Sequence, residues 1–178
     1  MAEDPVSMRI AQKVVEIYRK WHHLRGTQIV FLDEGAIADH LTLKDLLVRR
    51  GIPEREVMLA RKNDPASHFD SLFPLVNAGK VRVVIAHTRA LLGANIQQRL
   101  VALHHGDVPR TGTDLQRRTG CILRPGNILW EERLIPGVGI LRYTQRRPDE
   151  ESAWRRVQAE AEFMDRLLSG EEGSIRIP

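Results

Sequence analysis

Two stretches about twenty residues apart hold the side chains best suited to chemistry. The first, His87-Thr88-Arg89-Ala90-Leu91-Leu92-Gly93-Ala94-Asn95, follows the β-forming run Val81 to Ala86. A hydroxyl at Thr88, an amide at Asn95 and the permissive backbone of Gly93 allow close approach to a phosphate backbone. Thr88 and Asn95 equally suit plain capping. The second stretch, Asp114 to Asn127, carries Arg117, Arg118 and Arg124. On a helix Arg117 and Arg124 share a face, and Arg118 lies one step round. Clustered guanidinium groups can clamp a phosphoryl group in transfer and neutralise its developing charge. They also make an ordinary solvated basic face.

Other reactive types are weaker candidates. His104, His105, Asp107 and Cys121 contain zinc-ligating atoms. Neighbouring histidines on a strand point to opposite faces, however, and no second cysteine or spaced pair completes a structural site, so no metal is expected. Cys121 reads as an ordinary buried cysteine. Asp33 and Glu34 follow a short apolar run and suit capping or solvation better than metal binding. A small-molecule enzyme using His104 or Asp107 as a base is compatible with the fold class, but no spacing supports it.

Strands and helices alternate around these stretches. Apolar residues from Val6 to Trp21 recur at helical spacing over 6–24, and Gly26 ends that helix. Strands are expected at Gln28 to Leu32, Val57 to Ala60, Val81 to Ala86, Leu100 to His104 and Val138 to Thr144. Helices are expected at Leu41 to Arg50, Ala66 to Asn77, Thr113 to Leu123 and Asp149 to Ser169, with a short one at Ile96 to Arg99. The pattern predicts an α/β fold with a mostly parallel sheet sandwiched by helices. Ligands of such sheets gather on loops at the carboxyl ends of strands, here after Leu32, Ala86 and His104.

The 178 residues suffice for one domain with a sizeable core. Net charge is +4 and arginine far outnumbers lysine, which suits a phosphate-bearing partner such as DNA. A single cysteine excludes an internal disulfide framework and fits a cytoplasmic location. No apolar run is long enough for a membrane span, and the acidic start argues against a secretory signal, so no membrane partner is expected.

From Gln28 to Gly170 the chain resembles the C-terminal RecA-like lobe of Snf-type superfamily-two helicases, above all the antirestriction-type proteins of phages and plasmids. Those proteins fuse such a helicase to an adenine-specific DNA methyltransferase. Gly26 to Asp33 is similar to the lobe-opening strand; Arg50 to Val57 and Phe73 to Val83 resemble the stretches between motifs. Val81 to Gln97 resembles motif V, which contacts DNA and relays nucleotide state. Leu103 to Pro109 resembles the approach to motif VI, and Asp114 to Asn127 resembles motif VI itself. The resemblance implies a helix over 1–25 packed on the lobe, the lobe over 26–170 and a flexible tail over 171–178. It places His87, Thr88, Arg89 and Asn95 against DNA. It places Gly93, Asn95, Arg118 and Arg124 about the nucleotide, with Arg124 in the catalytic role.

Two departures bear on that expectation. The motif V loop is one residue short between Thr88 and Asn95, and the first motif VI arginine falls at Cys121. No Gly-x-x-x-x-Gly-Lys-Ser/Thr stretch and no acidic magnesium-holding strand occur. ATP with Mg is therefore expected only jointly with a separate P-loop lobe, in the same or a neighbouring polypeptide. Alone the chain should not hydrolyse ATP. The alternative is a degenerate, non-catalytic DNA- or protein-binding adaptor derived from the same lobe.

Overall fold

Five short apolar runs become five parallel strands. The computed structural model describes residues 5–33, 37–120, 124–143 and 148–169. In chain order it contains α1 (Pro5–Lys20), β1 (Thr27–Phe31), α2 (Ile37–Arg49), β2 (Val57–Ala60), α3 (Ala66–Asn77) and β3 (Val83–Ala86). It continues with β4 (Leu100–His105), α4 (Gly112–Gly120), α5 (Ile128–Glu131), β5 (Gly139–Arg142) and α6 (Pro148–Ser169). The sheet order is β2-β3-β1-β4-β5, all parallel, with β1 in the centre.

Every residue of β1 is buried, because helices cover both faces of the sheet. Side chains alternate between the two faces. Val30, Val83 and Ile85 join the core under α1 and α2, with Ile10, Val14 and Leu47. Ile29, Phe31 and Val84 join the opposite core with Leu72 and Val76 of α3. A smaller cluster joins Leu115 of α4 to Trp154, Val157 and Ala161 of α6. Those two helices meet so closely that a Cβ on Gly112 would stand 2.5 Å from the Ala161 backbone nitrogen. Glu160 accepts from the Gly112 N–H at 2.9 Å, so α6 caps the start of α4.

Arg82 is 1% exposed and fixes the end of α1 to the sheet. Its guanidinium donates to the carbonyls of Tyr18 (2.9 Å), Gly26 (3.1 Å) and Trp21 (3.3 Å). The same group lies over the Tyr18 ring, 3.8 Å from its centroid. These carbonyls sit where α1 leaves its last turns unsatisfied, so a buried cation is tolerated there.

Strand register brings the ends of the strands into one row. Ala60 pairs with Ala86, Ala86 with Phe31, Phe31 with His105, and His105 with Arg142. Leu32, His87 and Gly106 therefore begin loops on the same side of the sheet. The helix expected at Ile96 to Arg99 does not form. Ile96 is 1% exposed in the core, and the Gln98 N–H reaches the Asn77 side chain instead (3.4 Å). The local helical turn lies earlier, as a 3-10 turn at Thr88–Leu91. A short helix the sequence reading missed, α5, starts at Asn127, whose side chain accepts from the Trp130 N–H. The first helix stops at Lys20 rather than 24, and the strand expected from Val81 begins at Val83. Glu34, Cys121, Leu123, Thr144 and the 171–178 tail lie outside the described residues.

Candidate functional site

The three loops at the carboxyl ends of the strands converge on one buried cation. Arg118, on α4, is completely buried. Its Nη2 reaches Asp107 at 2.7 Å and Asp33 at 3.0 Å. Nη1 donates to the Asp107 carbonyl (3.1 Å) and Nε to the Thr88 hydroxyl (2.8 Å). Thr88 in turn donates its O–H and its backbone N–H to Asp33, each at 2.6 Å. The Asp33 N–H closes the ring on the Asp107 carboxylate. Burial alone would raise the Asp33 carboxyl, but Arg118 and the two Thr88 hydrogen bonds outweigh it and hold the group below its usual value. One guanidinium thus ties the loops after β1, β3 and β4 to α4.

This arrangement corrects two expectations. Thr88 is 2% exposed and Arg118 is fully buried, and both direct their polar atoms inward. Neither stands at the surface to meet DNA or a nucleotide. The other residues of the loop do reach the surface: Arg89, Gly93 and Asn95 are exposed and His87 is partly so. Between them Thr88, Ala90, Leu91 and Ala94 are buried as anchors. The His87 Nδ1 accepts from the Arg89 N–H at 3.1 Å, which leaves the ring proton on Nε2. Burial, against the pull of Asp33, keeps His87 below its ordinary value, so it is neutral at pH 7.

Arg124 is exposed and bridges the two stretches. Its Nη1 donates to the carbonyls of Ala94 (2.6 Å) and Gly93 (2.9 Å). Beside it lies a cleft of about 170 Å³ lined by Leu91, Leu92, Gly93, Arg117, Gly120 and Arg124. Arg117 and Arg124 do meet, as the spacing suggested, but by a different route. Helix α4 ends at Gly120, and Arg124 returns from beyond it. Sequence reasoning put Arg118 at the nucleotide; the structure puts Arg117 on the cleft instead.

A larger cavity of about 560 Å³ opens at the carboxyl ends of β1 and β4. This is where the strand order reverses, the usual ligand crevice of such sheets. Its charged lining is Asp39, Asp107, Asp149 and Glu150 against Arg110 and Arg156, so acid outnumbers base. That balance suits a polyphosphate less well than the arginine-lined cleft.

The histidines of β4 face opposite ways. His104 lies between Gln28 Oε1 (3.0 Å from Nε2) and the Tyr143 hydroxyl (2.7 Å from Nδ1). Burial drives its pKa down to about 3. His105 packs edge-on against Trp154, with neither ring nitrogen bonded, and burial lowers it to about 3 as well. A fully buried imidazole with both nitrogens engaged cannot serve a substrate as a base, and Asp107 is committed to Arg118. Among the described residues no three His, Cys, Asp or Glu side chains cluster as a metal site. No helix among them is long and apolar enough to cross a membrane.

No family model matches the chain, and no curated protein matches it. Solved structures do. The helicase domain of Pyrococcus furiosus Hef superposes with a TM-score of 0.60 at 14% identity, over 85% of this chain and 28% of that one. The helicase MrfA bound to DNA and AMPPNP gives 0.61 at 13%, over 86% and 20% of the two chains. Domain 2 of the DEAD-box helicase Mss116p, bound to an RNA duplex, gives 0.59 at 13%, over 79% and 51%. The chain has the fold of a RecA-like helicase domain. It spans about a quarter of the Hef chain and a fifth of the MrfA chain, so it corresponds to one lobe of these larger proteins.

Proposed function

We propose that this chain acts as the second lobe of a Snf-type DNA helicase-like ATPase, of the kind fused to DNA methyltransferases in antirestriction proteins. In this reading His87, Arg89 and Asn95 contact the DNA backbone. Arg124, with Gly93 and Asn95 beside it, faces ATP held by a separate P-loop lobe. The observation that carries the reading is the bridge from Arg124 to the Gly93 and Ala94 carbonyls. It couples the nucleotide-facing and DNA-facing stretches through one exposed guanidinium. Helicase neighbours solved with DNA and AMPPNP or with an RNA duplex support the partner classes.

Phosphoryl transfer depends on positioning and charge, and this chain supplies only a cation and a loop. ATP with Mg would supply the reacting phosphate when bound by the P-loop lobe; the part of this chain is to orient and neutralise. The test is ATP turnover with DNA present, for the chain alone and after adding a P-loop lobe. We expect none alone, and turnover with the partner that Arg124→Ala abolishes. DNA-stimulated turnover by the isolated chain that Arg124→Ala abolishes would refute the reading.

A second reading is favoured by the inward commitment of Thr88 and Arg118: a non-catalytic DNA- or protein-binding adaptor that keeps the fold. Cys121→Arg in the reconstituted pair separates the two. Restored or raised turnover supports an impaired motor; no turnover with either sequence supports the adaptor.

A further inference from the structure

We propose that Arg117 joins Arg124 to form a two-guanidinium seat for the terminal phosphates of a nucleotide, replacing the arginine that Cys121 lacks. This rests on the reading of Arg124 given above and extends it to a residue outside the family pattern. Arg117 precedes Cys121 by four residues, one helical turn. It lines the same cleft as Arg124, with Gly120 between them and Gly93 opposite.

The cleft suits a compact anion for three reasons. Its walls at Gly93 and Gly120 are open, since a Cβ built on either would meet nothing within 4 Å. Arg124 bonds the loop through Nη1 alone among the described residues, leaving Nε and Nη2 as donors. The Arg117 side chain is 44% exposed, and its Nη1 sits 3.1 Å from Asp114, an i,i+3 pair at the surface. Such a pair is weak and exchanges readily for a polyanion. Arginine forks then match phosphate oxygens two at a time. The opposing role for Arg117 is purely local: a cation in the last turn of α4 offsets the carbonyl end of the helix.

Titration of the full chain with tripolyphosphate at low salt tests the proposal, read by calorimetry alongside thermal unfolding. A single-stranded oligonucleotide serves as the phosphodiester control. We expect Arg117→Gln and Arg124→Gln each to weaken tripolyphosphate binding tenfold or more, with Arg117→Lys keeping part of it. Arg117→Gln should leave oligonucleotide binding within twofold. A merely helix-stabilising Arg117 would lower the unfolding temperature and leave the affinity unchanged, which overturns the proposal. Loss with Arg124→Gln but not Arg117→Gln overturns the role of Arg117 and leaves the reading of Arg124 intact. Loss with Arg117→Gln alone keeps the Arg117 seat and removes Arg124 from it. Failure of the unaltered chain to bind tripolyphosphate, or loss of the oligonucleotide instead, also overturns it.

Discussion

Arg118 and Asp33 meet at 3.0 Å in the interior, joining α4 to the loop that leaves the central strand. Asp107 and Thr88 complete the same network, so every loop at this end of the sheet depends on one guanidinium. A buried pair of this kind stabilises little relative to an apolar pair, yet removing one partner strands the other's charge.

Arg118→Met should therefore cost about 3–5 kcal/mol, because two carboxylates are left facing no cation. Arg117→Met, on the next residue, should cost less than about 1 kcal/mol, as its ion pair is exposed. Urea unfolding of both variants measures the contrast. Equal losses would show that the Arg118 network contributes no more than a surface pair. Asp33 is held below its usual value, so its share of stability is present above pH 4 or so. That share disappears only as pH falls through the lower folded-state value.

The two histidines of β4 predict an earlier acid sensitivity. Both are lowered by burial to about 3, so both are neutral in the folded chain. Above the ordinary value of 6.5 neither state binds the proton and stability is complete. Below it the unfolded chain takes up protons the fold refuses, costing about 1.4 kcal/mol per pH unit for each histidine, down to pH 3. His105 has no hydrogen-bond partner to lose, so His105→Leu should leave stability at pH 7.5 unchanged or higher and flatten the acid slope. His104→Leu strands Gln28 and Tyr143 and should cost about 1–3 kcal/mol at pH 7.5. Urea midpoints at pH 7.5 and 5 distinguish the cases. A His105→Leu chain with the acid slope of the unaltered one would contradict the assignment.

Strands were legible because parallel, doubly covered strands read as continuous β-branched runs, as at Val83 to Ala86. Ile96 to Arg99 misled for a related reason: a buried residue with polar neighbours looks the same in a short helix and in a loop pinned to α3. The loops of the site were legible from strand ends alone. The choice between Arg117 and Arg118 was not, since it depends on carboxylates that distant strands deliver. One signal was present in the sequence. Arg118 follows Leu115 by three residues and so shares the buried stripe of α4, whereas Arg117 does not.

DNA binding offers the last prediction, because the loop separates outward from inward polar groups. Arg89 and Asn95 are exposed, while Thr88 is buried against Asp33. Affinity should be weak, independent of sequence and steeply salt-dependent, since phosphate contacts dominate. Arg89→Gln should reduce the slope of log affinity against log salt by about 1, one phosphate contact fewer. Asn95→Ala should lower affinity with the slope unchanged, for an uncharged amide releases no counterion. Thr88→Val should act on stability rather than on the slope, since its hydroxyl serves Asp33 and Arg118. Fluorescence anisotropy of labelled single- and double-stranded oligonucleotides over a salt series measures all three. Binding that is indifferent to salt, or an Arg89→Gln chain with an unaltered slope, would remove this loop from the DNA contact.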